Sequence, residues 1–324
     1  MFKASGPVSQ AKHFEKSEEG EYTMAKVIGI DIGGTSLKGV VTDSEGHILA
    51  EHKRATDAAK GRDVILQHLG ELIQVLLDAE QQVEAIGIGT AGRVNLYTGE
   101  VVFATDNLPG WQGTNLVAWV TREHSLPVAV DNDGNTALIG ETWLGAGRQM
   151  ENVIMLTLGT GVGGANMWNG RLVRGTDWNG GEWGHVILYP EGLPCNCGKK
   201  GCIEQYLSGT ALVRSARALT GKPYLDGAEW IQDVRGGNPD AVYAMEQYIT
   251  HLLLVLENIH MGLNPEAVIL GGGVLDSSDY WWPDLQREME QRGLHITVKP
   301  AELGNRAGAL GAAKLALDLV SYHG

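Results

Sequence analysis

Between Val27 and Ala55 the chain reads VIGIDIGGTSLKGVVTDSEGHILAEHKRA, three short apolar runs separated by GGTS and DSEG, two clusters of turn-forming residues. That pattern predicts a three-stranded meander. Residues 63–82, DVILQHLGELIQVLLDAEQQ, place apolar side chains at helical spacing, and VEAIGIGT (83–90) has the continuous apolar character of a buried strand. Helix and strand alternate again, from NLVAWVTREHS into PVAVDND and from NTALIGETWLG into NVIMLTLGTGVGG. Such alternation predicts an α/β sheet with helices on its faces.

The second half opens like the first. VIMLTLGTGVGGANMWNGRLVRG (153–175) repeats the order of apolar strand, Gly-rich turn, strand, turn and strand. Two similar lobes, each opening on a Gly-rich hairpin, predict a cleft with phosphate-sized turns entering from both sides. Long helical segments follow, AVYAMEQYITHLLLVLENIHMGL (241–263) and NRAGALGAAKLALDLV (305–320), around the strand and loop PEAVILGGGVL. Their apolar residues are expected to serve mainly as core.

The 324 residues exceed one typical domain, so two cores are expected. Mean hydropathy of −0.11 describes an ordinary globular chain, and no apolar run has the length to cross a bilayer. A net charge of −14 disfavours a nucleic-acid partner, which needs a concentrated positive surface. The polar start, MFKASGPVSQAKHFEKSEEGEYT, lacks the apolar core of a secretory signal, so a cytoplasmic protein is expected. Met24 is an alternative start, with residues 1–25 a flexible extension.

In DIGGTSLKG, Gly33 and Gly34 let the backbone bring N–H groups toward an anion, Thr35 adds a hydroxyl and Lys38 a charge. The same composition also serves an ordinary hairpin turn. LGTGVGG offers Thr160 and Gly161 on the second lobe, and LGGGV offers the bare backbone of Gly271, Gly272 and Gly273 at a strand end. Asp131, Asn132 and Asp133 follow PVAV at the strand's C-terminal end, where open α/β sheets place ligands. One of these carboxylates would accept a proton from an attacking hydroxyl; the alternative is a helix cap by Asp133 or Asn135.

All the cysteines, Cys195, Cys197 and Cys202, fall in one short loop, with His185 ten residues upstream of the first. Three thiolates and an imidazole form the donor set of a closed tetrahedral zinc site, and three thiols cannot all pair within one chain. With no open position a metal there would be structural; the alternatives are unligated cysteines or a reactive catalytic thiol. Glu182 and Glu204 flank the loop, either as surface acids or as carboxylates for a hydroxyl-rich ligand. In the second case chelation is expected to weaken binding of that ligand before it affects the Gly-rich turns.

From Val27 to its end the chain resembles the ROK family (repressors, open reading frames, kinases) of sugar kinases. GEWGHVILYPEGLPCNCGKKGCIE is similar to that family's zinc signature, and DIGGTSLKG and LGTGVGGA to its phosphate loops. The resemblance implies a two-lobed α/β fold of the actin-like ATPase (ribonuclease H-like) type with a central cleft and a structural zinc loop. It implies lobes over residues 26–134 and 135–324, the last helix packing back on the first. It also implies that Asp133 is the catalytic base and that Gly92, Asn132, Glu182, His185 and Glu204 contact the sugar. His185, Cys195, Cys197 and Cys202 would hold Zn²⁺. Gly33, Gly34, Thr35, Lys38, Thr160 and Gly161 would serve the phosphates, Gly271–Gly273 the adenosine side, and Asp31 would lie near Mg²⁺.

The implied activity is ATP-dependent phosphorylation of the 6-hydroxyl of a hexose, glucose first, by a homodimer or higher homo-oligomer. Ala91, Asn95 and Gly134 depart from the commonest pattern, and GRVN and DNDGN resemble the family's N-acetylmannosamine kinases. Fructose, allose or N-acetylglucosamine are further alternatives. A sugar-sensing regulator of the same family would need a DNA-binding winged helix before DIGGT, where about thirty residues are too few for such a domain.

Overall fold

A computed structural model describes residues 24–105 and 107–323. The expected flexible extension therefore lies outside the described residues, apart from Met24 and Ala25. The meander is present as β1 (Lys26–Ile32), β2 (Ser36–Thr42) and β3 (Ile48–Ala55). It is followed by α1 (Arg62–Ala79), β4 (Val83–Thr90), a small hairpin of β5 (Arg93–Asn95) and β6 (Glu100–Phe103), α2 (Leu116–His124) and β7 (Val128–Asn132). The first sheet has the order β3-β2-β1-β4-β7, with β1, β4 and β7 parallel. Ile28, Ile30, Ile86 and Ile88 are buried against α1 and α2 residues such as Leu69, Ile73 and Val120.

Helix α3 (Asp133–Leu144) leads to β8 (Val153–Leu158), β9 (Val162–Trp168) and β10 (Arg171–Leu172). After the cysteine loop come α4 (Glu204–Leu207), α5 (Gly209–Thr220), α6 (Gly227–Arg235), α7 (Pro239–Gly262), β11 (Ala267–Gly271), α8 (Trp282–Gln291), β12 (Val298–Pro300) and α9 (Ala307–His323). The second sheet, β10-β9-β8-β11-β12, repeats the antiparallel hairpin and parallel neighbours of the first. Its core joins Leu156, Leu158 and Leu270 to one face of α7 through Leu252, Leu256 and Ile259.

The last helix returns to the first sheet. Val27, Val40 and Ala85 are buried with Ala309, Leu310 and Ala313 of α9. Gly29 and Gly87 make this possible: a Cβ at either position would collide with the α9 backbone. Glu141, fully buried in α3, accepts the N–H groups of Ala146 at 2.8 Å, Glu302 at 3.1 Å and Leu303 at 2.9 Å, which fixes the approach to α9. Among the described residues no helix is long and apolar enough to cross a membrane.

Candidate active site

A cavity of about 500 Å³ lies between the two sheets. The first half contributes the β1–β2 turn, the segment after β4, the loop after β6 and the junction of β7 with α3; the second contributes the β8–β9 turn, the cysteine loop and Gly272. Strand polarity explains the convergence, because the parallel strands of both sheets end at this cleft.

Asn132 organises the floor. It is the N-cap of α3, its Oδ1 accepting from Gly134 N at 2.8 Å and Asn135 N at 3.2 Å. Its Nδ2 donates to the Gly92 carbonyl at 2.9 Å. This corrects the sequence-based alternative that Asp133 or Asn135 caps the helix. Because Asn132 takes that duty, Asp133 becomes the first helical residue, and its carboxylate reaches the cavity with the Gly134 N–H, at 2.9 Å, as its hydrogen-bond partner. Burial first, then the charges of Asp31 and Glu182, push the Asp133 carboxyl up to about 6. Asp131 faces away: it is 2% exposed and pairs with Arg174. Gly92 has φ +98°, and a Cβ there would collide with the Phe103 carbonyl.

Opposite stand Glu182, His185 and Glu204, all on the cavity wall. Burial raises the Glu182 carboxyl, helped by Glu204 and opposed by His185, Arg93 and Lys199. Glu204 opens α4 and accepts the Val162 N–H at 3.1 Å.

The two Gly-rich turns border the same space. In the first, Gly33 is consumed by the turn, its N–H on the Ser36 carbonyl at 3.1 Å and its own carbonyl accepting the Thr56 hydroxyl at 2.6 Å. Gly34 and Thr35, by contrast, line the cavity. In the second, Thr160 and Gly161 line it. Of Gly271, which ends β11, and Gly272 and Gly273 after it, Gly272 alone lines the cavity, at φ +88° and so close to the Leu158 backbone that a Cβ has no room. Asp31 and Lys38 lie outside the lining and pair with each other at 3.3 Å.

His185, Cys195, Cys197 and Cys202 bring their donor atoms within 4.8 Å of one another. The Cys197 and Cys202 sulfurs are 3.6 Å apart, and Cys195 Sγ is 3.8 Å from His185 Nδ1. Tetrahedral zinc with bonds of about 2.3 Å needs sulfur–sulfur edges of about 3.8 Å, so the donor set fits. Burial and the neighbouring thiols push the Cys202 thiol up to about 12, a repulsion that a cation reverses. The loop is tied down by the Cys195 N–H on the Lys199 carbonyl at 2.8 Å and by a cluster of Tyr189, Tyr206 and His251 rings that anchors it to α7.

The pattern of the ROK family matches residues 27–319. The chain belongs to the ROK family. It is 34% identical to the glucokinase of Streptomyces coelicolor over 317 residues, covering 91% of this chain and 98% of that one. It is similar to the crystal structure of a ROK family glucokinase from Streptomyces griseus in complex with glucose and AMPPNP, with TM-score 0.80 and 34% identity over 91% of this chain and all of that one. The ROK hexokinase from Thermus thermophilus also matches, at TM-score 0.80 and 32% identity over 92% of this chain and 99% of that one.

For this ROK chain, sequence reasoning missed Phe103 at the end of β6, Thr105 and Asn107 after it, Thr157 in β8 and Asn196 between two cysteines, all of which line the cavity. The polar Thr157 within VIMLTL was a visible signal. Nothing in ATDNLPGW separates a wall of the cavity from any other turn.

Proposed function

We propose that this protein is a hexose kinase that transfers the γ-phosphate of ATP to the 6-hydroxyl of glucose. The observation that carries the reading is the Asp133 carboxylate, held at the start of α3 in a cavity bordered by two Gly-rich turns and faced by Glu182, His185 and Glu204. The names of the similar glucokinases support glucose as the first substrate to test.

In this reading Glu182, Glu204 and the second ring nitrogen of His185 accept or donate hydrogen bonds to sugar hydroxyls. The Gly92 segment, tethered by Asn132, supports the ring from the first lobe. Asp133 takes the proton of the 6-hydroxyl as that oxygen attacks phosphorus, and a carboxyl near 6 is basic enough for this at neutral pH while remaining a weak competitor for the phosphate. The Gly34–Thr35 and Thr160–Gly161 turns, which line the cavity, would face the phosphates, with Gly272 beside the nucleoside. Closure of the sheets on both ligands excludes water, the competing nucleophile.

Mg²⁺ entering with the nucleotide would supply charge neutralisation at the phosphates, and Asp31, which stands beside Lys38 outside the cavity lining and whose charge acts on Asp133, would be the carboxylate to hold it. Zn²⁺ on His185 and the three cysteines would order the sugar-facing wall and take no part in the chemistry. ADP release measured against glucose, N-acetylmannosamine, N-acetylglucosamine, fructose and allose tests the reading: glucose is expected to give the highest kcat/KM. A preference for N-acetylmannosamine would move the assignment to that sugar, and no turnover on any of them would remove it.

A further inference from the structure

Arg174 follows β10 in the second half of the chain, yet its Nε and Nη2 donate to Oδ2 of Asp131, at the end of β7, at 2.8 and 2.6 Å. The other oxygen of Asp131 is committed within its own turn, accepting the Asn132 N–H at 2.7 Å and Asn135 Nδ2 at 2.8 Å. Asp133 lies inside that turn. Neither Arg174 nor Asp131 lines the cavity. The loop carrying Arg174 folds back through the Gly180 N–H on the Arg174 carbonyl at 2.8 Å, two residues before Glu182. Farther along it, the Trp178 ring meets that of Tyr97 in the β5–β6 hairpin, centroids 5.4 Å apart, so the loop touches the first lobe twice.

A buried carboxylate is tolerated only with its counter-charge in place, so the position of Arg174 and that of the 131–135 turn are bound to each other. We infer that Arg174 is a positioning residue for phosphotransfer: through Asp131 it holds the turn of Asp133, and through its own loop it holds Glu182, so base and sugar carboxylate keep one mutual geometry. The inference rests on the kinase reading above. It assigns Arg174 no contact with either substrate.

The test measures kcat and KM for glucose and ATP in Arg174→Gln, Arg174→Lys and the double variant Arg174→Gln/Asp131→Asn, with folding checked by circular dichroism. Misplacement of a base by about 1 Å costs roughly 100-fold, so Arg174→Gln is expected to lose about that factor in kcat while both KM values stay within about threefold. Arg174→Lys keeps the charge without the guanidinium fork and is expected to fall between Gln and wild type. The double variant removes the uncompensated charge and is expected to recover at least about tenfold over Arg174→Gln.

A folded Arg174→Gln with wild-type kcat, a loss confined to KM, or a double variant no better than the single overturns the inference. If Arg174→Gln does not fold, Arg174→Lys decides: reduced kcat at unchanged KM supports the inference and wild-type kcat overturns it. A wild-type protein without turnover refutes the kinase reading instead, so the two failures are distinguishable.

Discussion

Glu204 Oε2 accepts the Val162 N–H at 3.1 Å, which hydrogen-bonds the cysteine loop directly to the β8–β9 turn. Glu204 stands two residues after Cys202, and Val162 directly follows Gly161. A Cβ on Gly161 would collide with the Glu204 carboxylate, which therefore sits directly against the turn. One carboxylate thus joins the wall that carries Glu182 and His185 to the turn of Thr160 and Gly161, which the proposed function assigns to sugar and phosphate respectively.

This contact changes what metal removal should do. The sequence predicted that sugar binding weakens first, but the shared hydrogen bond predicts that both ligands weaken together. A hydrogen bond to a charged group contributes about 1.5–3 kcal/mol, or at least about tenfold in affinity. Calorimetric titration of chelated, folded protein is expected to show losses of that size for glucose and for a non-hydrolysable ATP analogue. A loss confined to glucose would restore the sequence-based expectation.

The raised Asp133 carboxyl sets a pH dependence with a definite sign. A base that titrates near 6 is protonated below that pH, so kcat is expected to fall about tenfold per pH unit on the acid side. Stability runs the other way: the folded state holds this proton more tightly than the unfolded chain, so its contribution is full below the unfolded value near 3.8 and is lost as pH rises through 6. Asp133→Asn is therefore expected to melt above wild type at pH 7.5, with the advantage shrinking toward pH 5. Differential scanning calorimetry at the two pH values checks it.

Asn132→Ala removes the helix cap and the tether to Gly92 together. Loss of an N-cap costs about 1–2 kcal/mol, a drop of several degrees in Tm for a chain of this size. The KM for glucose is expected to rise as the Gly92 segment loosens, while the KM for ATP holds. Equal rises in both would place Asn132 in a general structural role.

Gly87→Ala tests the seat of α9. The added methyl meets the Ala312 carbonyl and has no flexible neighbour to displace, so overpacking is expected to cost roughly 1–3 kcal/mol or more. Chemical denaturation should show a lower midpoint, whereas Gly34→Ala, with open space at its Cβ position, should leave the midpoint unchanged.

The meander, α1 and β4 were legible because their apolar period is long enough to distinguish strand from helix. The cluster of His185 with Cys195, Cys197 and Cys202 was legible because the three cysteines fall in one short loop. The cap of α3 was not: in Asp-Asn-Asp each side chain can cap, and the choice of Asn132 depends on the Gly92 carbonyl, forty residues away. The β5–β6 hairpin is too short to show a period, its strands running over Arg93–Asn95 and Glu100–Phe103. Arg174 and Asp131 are separated by 43 residues, and neither LVRG nor VDND shows by itself that it needs the other.

The central claim, that Asp133 is the base of a hexose kinase, is tested most directly by ADP release from glucose and ATP in Asp133→Ala. A general base contributes about 10²–10⁴-fold, so the account predicts a kcat at least about 100-fold below wild type in a protein that remains folded. Turnover near the wild-type rate in that folded variant would contradict it.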